Sequence, residues 1–492
     1  MTLKDVLARI ETDFEKIDLP KIQNFLKQPS VSATGEGIQE TTNILMKKIK
    51  NLGGENVHLA ETMGEEFGHP QVYGELIHDK NKPTILFYSM YDVQPVYPER
   101  WVLNDKQIDP FGAEIHEFEW FSGFSGKCLL NRGVQNQKGP TLAAFNVFET
   151  FQQEDGELPV NIIFAIEGEE ELGSPHLRTF INNYQEKLKK CTALFFPMFF
   201  ESHDGSIKFF LGVRGVIEAK MYCSGGEWGG PVGRNLHSSY SGLVQNPVFK
   251  LIEALQTLKN DNTNEILVPG IMDDPKIVGP SDEDTKVINT LLEQLDFKTW
   301  KESISVRKFR DKDEKELIDE KAIIEQLFKP GLSINGIESG YYGKGGMTII
   351  PHEAHANLDI RLPPFQEVDY VKRCYRKYIN GKFPMIDLNL GAGYGPAKMS
   401  PSHPLIQTTA KIYEESDKNP IFYPLLAGSA PFSMFQSILK LPFVFGGLGH
   451  GGRAHSPLEY AVLESNTPNI GGIKEFELFI AKLFTKFSHD LI

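Results

Sequence analysis

The stretch that most constrains the fold of this chain runs from Asn161 to Ser174 and reads NIIFAIEGEEELGS. Residues 161–166 form an apolar run of strand length, which is typical of a strand buried on both faces of a sheet. Four carboxylates follow within five residues: Glu167, Glu169, Glu170 and Glu171. Packed carboxylates repel and raise one another's pKa, so they persist where a cation, a proton or water relieves the repulsion. We therefore predict a strand that ends in an acidic functional loop, with a solvated acidic turn as the ordinary alternative.

Composition limits the partners of the chain. At 492 residues it is too long for one hydrophobic core, so two or more domains are expected. The net charge of -14 argues against nucleic acid or an anionic membrane surface as the main partner. The longest apolar runs, such as Ala193 to Phe200, fall short of the ~20 residues of a membrane span, and the charged start does not resemble a secretory signal. Scattered cysteines indicate buried free thiols in a cytoplasmic protein: Cys128, Cys191, Cys223 and Cys374.

Strands and helices alternate along the first 200 residues. The predicted strands are 72–77, 84–88, 161–166 and 193–196. The predicted helices are 1–28, with a break near Leu19-Pro20, then 41–52, 138–153 and 175–190. Such alternation predicts an α/β sheet with helices on both faces, in which reactive groups gather at the carboxyl ends of the strands. Three loops, 89–95, 132–140 and 167–174, are expected to converge there on one pocket.

Eight short motifs follow one another in an order that resembles the M20 family of metallopeptidases, and most closely its cytosolic dipeptidase and carnosinase branch. They are YxxxDVQP (88–95), RGxxxxKGP (132–140), EGxEExGS (167–174), LHS (236–238), NGIESGYYGKGGMTIIP (335–351), LDIRLPP (358–364), GSAP (428–431) and AHS (454–456). The resemblance covers nearly the whole chain.

This resemblance implies two domains. The catalytic domain, with a central mixed sheet flanked by helices, comprises residues 1–214 and 397–492, and an α+β lid of residues 215–396 is inserted between them. The residue pattern supports the insertion, because it changes after position 215 to strands at 216–223 and 354–361 and helices at 247–258 and 366–380, with a charged helical tract at 281–327. Relatives dimerise through the lid, which folds over the pocket, so a homodimer is expected.

The resemblance also implies metal positions, and three of them are altered. Family members hold two zinc ions about one water through imidazole and carboxylate ligands. The first motif keeps Asp92 but has Met90 where a ligand histidine is usual, and thioether sulfur is a poor zinc partner beside oxygen ligands. Asn136 stands at the bridging aspartate position, and Pro197, which has no side-chain donor, stands at the fourth ligand position.

The remaining family positions are kept. By this resemblance, Glu170 occupies the general-base position, Glu171 occupies a metal-ligand position, and His455 occupies the position of the last metal ligand. One zinc site has lost all three of its ligands, whereas the other keeps Glu171 and His455, with the neutral carbonyl of Asn136. We therefore expect at most one divalent ion, zinc or manganese, or none. Four nearby loop residues are candidate replacement ligands, although each is more ordinarily structural: Glu201, His203, Asp204 and His450.

The substrate positions stay closer to the family pattern. His237 matches the lid histidine that reaches across the dimer to the scissile carbonyl. Arg361 matches the arginine that grips the substrate carboxylate, with a structural ion pair on its strand as the alternative. Thr348, Gly428 and Ser429 match positions that contact peptide or carboxylate oxygens, where flanking glycines allow close approach.

Two classes of function stay open. In the first, the chain is an amide hydrolase of a dipeptide or N-acyl amino acid: Glu170 takes a proton from water, His237 polarises the carbonyl and Arg361 holds the carboxylate. In the second, it is a non-catalytic or repurposed homologue that binds a peptide-like ligand or a protein partner. The adjacent acids favour the first class. Met90 and Pro197 favour the second, because losing metal polarisation removes much of the transition-state stabilisation.

Overall fold

The computed structural model describes residues 2–60, 68–312 and 314–491. The chain forms two compact units. Unit 1 comprises Met1–Leu211, Met399–Tyr423 and Met434–Ile492, and unit 2 comprises Gly212–Lys398 and Pro424–Ser433. Unit 2 thus includes residues 424–433, which the sequence prediction places in the catalytic domain.

Unit 1 is built on a six-stranded sheet. In spatial order its strands are Glu55–Ala60, Gln71–Leu76, Asn161–Glu167, Thr84–Met90, Ala193–Pro197 and Phe443–Gly446. The first two neighbour pairs are antiparallel and the other three are parallel, so the predicted mixed sheet is confirmed. Every residue of Asn161–Glu167 is buried, as its apolar sequence predicts.

Helices surround this sheet. They are Leu3–Asp13, Leu19–Leu26, Ile38–Asn51, Lys138–Asp155, Leu177–Asn183, Gln185–Leu188, Pro404–Glu414, Phe432–Leu439 and Ile473–Asp490. The predicted helix 1–28 contains a π-helical turn, Phe14–Asp18, just before Pro20, because proline has no N–H with which to continue the α-helical ladder. The predicted helix 175–190 is two helices separated at Tyr184.

Smaller elements complete unit 1. A second sheet orders Gly451–Gly452, Tyr460–Ser465, Phe124–Leu130 and Glu114–Phe121. Two further strand pairs are Ile207–Phe210 with Pro420–Tyr423, and Val102–Leu103 with Lys106–Gln107. Short 3₁₀ helices lie at Pro98–Arg100 and Glu170–Leu172.

Unit 2 has its own antiparallel sheet, ordered Gly331–Glu338, Glu353–Leu362, Gly212–Ser224 and Ile386–Leu390. Ala397–Lys398 and Leu426–Ser429 pair with the start of its long strand. The helices Pro247–Gln256 and Val368–Lys382 bury their apolar sides on this sheet. Short strands pair as Leu236–His237 with Ile349–Ile350, Lys259–Asn260 with Glu265–Ile266, and Asp311–Lys312 with Lys315–Glu316. A 3₁₀ helix, Ser238–Tyr240, follows the first of these strands.

The predicted helical tract 281–327 is only partly right. Three helices occur there, Asp282–Gln294, Phe297–Ser303 and Glu320–Leu327, but the Asp311–Lys312 hairpin strand and its partner interrupt them. Residues 307–316 carry charges at nearly every position, so that part offers no apolar stripe for a helix to bury.

Two predictions, that the chain has no membrane span and that its cysteines are free thiols, can be compared with the structure. Within residues 2–60, 68–312 and 314–491, no helix combines the length and the apolar character needed to cross a membrane. The four cysteines are free thiols, three of them buried and Cys374 half-buried.

Candidate active site

The carboxyl end of the central sheet gathers the predicted loops of unit 1. Thr84–Met90 and Asn161–Glu167 are parallel neighbours, and Met90 lies opposite Glu167 in their register. The loops that follow these two strands therefore begin side by side. Asp92 on the first loop accepts the backbone N–H groups of Glu170 (3.2 Å) and Glu171 (3.0 Å) on the second.

A buried ion pair fixes the third loop. Glu459 accepts the Arg132 Nη1 group at 2.7 Å, and both side chains are almost fully buried. The same carboxylate accepts the backbone N–H groups of Gly133 (3.0 Å), Gln135 (3.0 Å) and Asn136 (2.9 Å). Sequence reasoning did not single out Glu459, although it follows the AHS motif closely. This network fixes the backbone position from which the Asn136 side chain extends.

Three predicted metal positions come together around one carboxylate oxygen. Glu171 Oε1 lies 2.8 Å from Asn136 Nδ2 and 3.1 Å from His455 Nε2, and those two nitrogens are 3.0 Å apart. The other oxygen, Oε2, accepts the Gln94 side-chain amide at 2.8 Å. Gln94 lies within the first motif, and the sequence pattern gives no role to it. Because both oxygens of Glu171 already accept N–H groups, its charge is compensated by amide donors.

These residues do not fit the pair of divalent ions that the family resemblance predicts. Among the described residues, no group of three or more histidine, cysteine, aspartate or glutamate side chains could hold a metal ion. The Asn136 side chain turns its N–H group, and not its carbonyl, toward Glu171 and His455. At the fourth ligand position the Gln137 side-chain amide donates to the backbone carbonyl of Pro197, and both residues are buried. Amide hydrogen bonds thus stand where carboxylates are needed to hold two dications.

Three acids beside this group, Asp92, Glu167 and Glu170, have raised pKa values. Burial, and then the charge of Glu171, raises the pKa of Asp92 to about 7. Burial of its carboxyl, followed by the charges of Glu171 and Asp92, raises the pKa of Glu170 well above its ordinary value. Burial raises the pKa of Glu167 to about 8, even though the Tyr88 hydroxyl donates to it at 2.5 Å. Without a nearby cation, this raised pKa favours the protonated form of Glu170, which is a proton donor before it is a base.

One glutamate of the acidic run has a structural role that the sequence did not reveal. Glu169 Oε1 lies 2.9 Å from His176 Nδ1 and accepts the His176 backbone N–H at 3.0 Å. Its other oxygen accepts the backbone N–H of His69 at 3.1 Å. Glu169 thus ties the acidic loop to two neighbouring segments.

The candidate replacement ligands are held in structural contacts. His450 Nδ1 lies 2.8 Å from the Glu201 carbonyl and Nε2 lies 2.9 Å from the Tyr460 hydroxyl, while burial lowers the pKa of His450 to about 4. The Glu201 carboxylate accepts the Gly471 backbone N–H at 2.6 Å. His203 packs on the Phe121 ring, and Asp204 accepts the Ser206 hydroxyl at 2.7 Å.

In unit 2 the predicted substrate residues form two separate contacts. His237 Nε2 lies 3.2 Å from the Thr348 hydroxyl, and its Nδ1 lies 2.9 Å from the Ser239 hydroxyl. Arg361 Nη1 donates to the Ser429 hydroxyl at 3.0 Å, and Gly428 precedes that serine on the same strand.

Arg361 also makes an ion pair on its own strand, which the sequence analysis gives as the structural alternative to binding a substrate carboxylate. Its Nη2 donates to Asp359 Oδ2 at 2.6 Å, and the two side chains are 32% and 20% exposed. A contact with Asp359 leaves other N–H groups of the guanidinium available, since the side chain carries five.

Comparisons with known proteins relate this chain to M20 peptidases. The family model described as a peptidase dimerisation domain of the M20 type matches residues 224–386. An M20 family metallo-carboxypeptidase of Sulfolobus solfataricus superimposes with a TM-score of 0.80 at 27% identity, covering 97% of this chain and 99% of that one. This is an M20-like chain. The predicted resemblance to the M20 family and its dipeptidase and carnosinase branch is confirmed.

Several relatives of the M20-like chain are named as dipeptidases. A Cys-Gly metallodipeptidase of Candida albicans is 27% identical over 409 residues, 78% of this chain and 76% of that protein. The human beta-Ala-His dipeptidase is 28% identical over 324 residues, which span 64% of this chain and 57% of the human protein. Human carnosine dipeptidase 1 shares the fold, with a TM-score of 0.79 at 22% identity over 99% of this chain and all of that one.

Proposed function

We propose that the M20-like chain is an amide hydrolase of a dipeptide or an N-acyl amino acid, with at most one divalent ion, zinc or manganese. Support comes from the names of the relatives and from the contact of Glu171, Asn136 and His455 within 2.8 to 3.1 Å of one another. That contact carries the proposal, because it keeps one of the two family metal positions as a cluster of polar groups. Glu170 and Asp92 supply the acids beside it.

Each residue has a definite task in this reaction. Glu171 and His455 are the groups that would hold one ion, with the Asn136 side chain beside them. A bound ion would polarise an amide carbonyl and lower the pKa of neighbouring acids. Glu170, once ionised, takes the proton of the attacking water and passes it to the leaving amine. Asp92 orients the Glu170 and Glu171 backbone through its two accepted N–H groups, and His237 and Arg361 bind ligand oxygens.

A second candidate is a non-catalytic homologue that binds a peptide-like ligand or a protein partner. One observation favours it: the Asn136 amide donates an N–H group to Glu171, one of the two ligands that remain, and its nitrogen lies 3.0 Å from Nε2 of the other, His455. A hydrogen-bonded triangle of this kind pairs Glu171 Oε1 with N–H donors without a cation.

Two measurements separate the candidates. Elemental analysis of protein purified without added metal is expected to give at most one equivalent of zinc or manganese, and two equivalents would refute the assignment of the ligands. Hydrolysis of a dipeptide panel is then compared between wild type, Glu170→Gln and the exposed control Glu186→Gln. The hydrolase proposal expects loss of turnover in Glu170→Gln alone. If wild type turns over no faster than Glu170→Gln, the non-catalytic candidate replaces it.

We further propose a homodimer formed through the dimerisation domain of residues 224–386, in the cytoplasm and without nucleic acid or membrane partners. Four free thiols and the net charge of -14 support that location and those exclusions. Light scattering of the purified protein tests the assembly, and a monomer at micromolar concentration would contradict it.

A further inference from the structure

The two oxygens of the Glu459 carboxylate bind different partners. Oε2 accepts Arg132 Nη1 at 2.7 Å and the Gly133 N–H at 3.0 Å. Oε1 accepts the backbone N–H groups of Gln135 at 3.0 Å and of Asn136 at 2.9 Å. Because Glu459 is fully buried, its oxygens depend on these donors. One oxygen therefore binds the buried cation, while the other holds the backbone from which the Asn136 side chain extends.

Glu459 also ends the segment that carries His455. Three non-glycine residues of that segment have a positive φ: Arg453 (58°), His455 (62°) and Leu458 (58°). Residues with a Cβ seldom adopt this conformation, and it persists only where the surrounding structure holds it. At the end of the segment, the Glu459 carbonyl accepts the Asn131 N–H at 3.0 Å, and the strand Tyr460–Ser465 begins at the next residue. The same residue thus anchors the chain next to His455 as well as next to Asn136.

The contact between these two side chains joins distant parts of the chain. Asn136 Nδ2 lies 3.0 Å from His455 Nε2, although the two residues are 319 positions apart. Both nitrogens also lie close to Glu171 Oε1, which comes from a third loop. Because His455 is exposed and Asn136 is only half-buried, their mutual position depends mainly on where their backbones are held. Glu459 holds both backbones.

We propose that Glu459 is a positioning residue of the candidate site, and that its Oε1 atom, rather than its ion pair with Arg132, sets the position of Asn136 against His455. Glu459 acts through the backbone N–H groups of Gln135 and Asn136 and not on a ligand. The proposal rests on the proposed function in one respect, namely that Asn136 and His455 contact the ligand. It deepens that function by giving the two oxygens of one carboxylate separate roles, which mutation can separate.

The variant Glu459→Gln separates the two roles because it keeps only one acceptor oxygen. A hydrogen bond from a charged donor is stronger than one from a neutral amide, so Arg132 should take that oxygen. The new side-chain NH2 group then faces the N–H groups of Gln135 and Asn136, which lose their acceptor. The control Arg132→Met also breaks the buried ion pair, but it keeps both carboxylate oxygens for the backbone N–H groups. Both variants should lower the Tm, and only Glu459→Gln should release residues 135 and 136.

Hydrogen exchange followed by mass spectrometry, together with calorimetric titration of ligands, measures the difference. In Glu459→Gln the amides of residues 135 and 136 are expected to exchange at least about ten-fold faster than in wild type, and in Arg132→Met within about two-fold of wild type. Amides of the buried strand Asn161–Glu167 give the rate of exchange by global opening in each variant. Alanyl-alanine, alanyl-histidine and acetyl-alanine should bind about ten-fold more weakly to Glu459→Gln, with a change of about two-fold or less in Arg132→Met.

The outcomes distinguish the role of Glu459 from the function on which it rests. If residues 135 and 136 exchange equally in the two variants, or if the ligands bind both variants with the same Kd, the role given to Glu459 is wrong and the proposed function stands. If exchange differs as expected but wild type binds none of the three ligands, the proposed function fails and Glu459 still positions Asn136. Should either variant fail to fold, wild type alone supplies the test. Protection of the Asn136 amide supports the proposal, and exchange at the rate of an unstructured peptide overturns it.

Discussion

Replacing Asn136 by aspartate tests the description of the metal position most directly. In wild type the Asn136 amide lies 2.8 Å from Glu171 Oε1 and donates to it. Asn136→Asp puts a carboxylate oxygen in that place, and two like charges at this distance repel by about 6 kcal/mol at an effective dielectric constant of 20. Proton uptake limits the cost, because raising an aspartate pKa from its usual value to neutral pH costs about 4 kcal/mol. We therefore expect metal-free Asn136→Asp to lose about 4 kcal/mol of stability at pH 7, a fall in Tm on the order of 5 to 10 °C.

Divalent zinc is expected to reverse this loss in the variant. The introduced carboxylate would complete a set of two carboxylates and one imidazole with Glu171 and His455, which are ligand types that zinc accepts. A free zinc concentration 100 times Kd stabilises a folded protein by about 2.7 kcal/mol. Scanning calorimetry with and without zinc, together with elemental analysis, measures both effects. Asn43→Asp, an exposed site in a helix, is the matched control and should respond to neither.

Wild type supplies the result that would refute this reasoning. Its Asn136 amide presents an N–H group, so zinc should raise the wild-type Tm far less than that of Asn136→Asp. If zinc stabilises wild type and the variant equally, the Asn136 carbonyl must already serve as a ligand, and the hydrogen-bonded triangle does not describe the protein in solution.

Three further predictions concern stability and binding. Glu459→Ala should cost about 3 to 5 kcal/mol in urea denaturation, because it leaves the buried Arg132 charge unpaired, whereas Glu459→Gln should cost less. Burial raises the pKa of Glu477 well above its ordinary value, so the folded state holds a proton that the unfolded state loses. Stability should then fall as pH rises above the ordinary glutamate range, and Glu477→Gln, which keeps the hydrogen bond from Asn146 (2.9 Å), should reduce the difference in stability between pH 5 and pH 8 measured by denaturation. His237→Ala, at an exposed position, should leave the Tm nearly unchanged while weakening ligand binding about ten-fold or more, and an unchanged Kd would exclude His237 from the site.

The central sheet could be predicted from the sequence because its strands are buried on both faces. Residues 161–166 are apolar throughout most of their length, and the structure extends that strand by one residue, to Glu167. Hydrophobic patterning gives no such signal at 304–319, where short paired strands replace the predicted helix. The paired residues are charged, with Asp311 opposite Glu316 and Lys312 opposite Lys315, so they give neither a helical nor an alternating apolar period for a pattern argument to detect.

The sequence predicts which types of residue gather at the candidate site, but it does not predict the contacts between their side chains. The motifs place Glu171, Asn136 and His455 by position, but only coordinates show that the amide turns its N–H group toward the other two. Glu459 carries no motif of its own, and its role follows from four donors that lie more than 300 residues away in sequence. Long-range hydrogen bonds of this kind leave no local pattern to read.

The altered metal positions make physical sense as one change. A dication and a bridging carboxylate offset each other's charge, so removing either alone leaves an uncompensated buried charge, which is costly. In the correspondence that we propose with the family positions, Asn136 stands in place of the bridging carboxylate and Pro197 in place of a second one, while Met90 replaces a ligand without adding charge. Amides of Gln94 and Asn136 then donate to the carboxylate that is left, Glu171. Because a restored carboxylate at position 136 would face Glu171 without a compensating charge, Asn136→Asp should destabilise the protein until a cation binds, which makes it more informative than loss of any remaining residue.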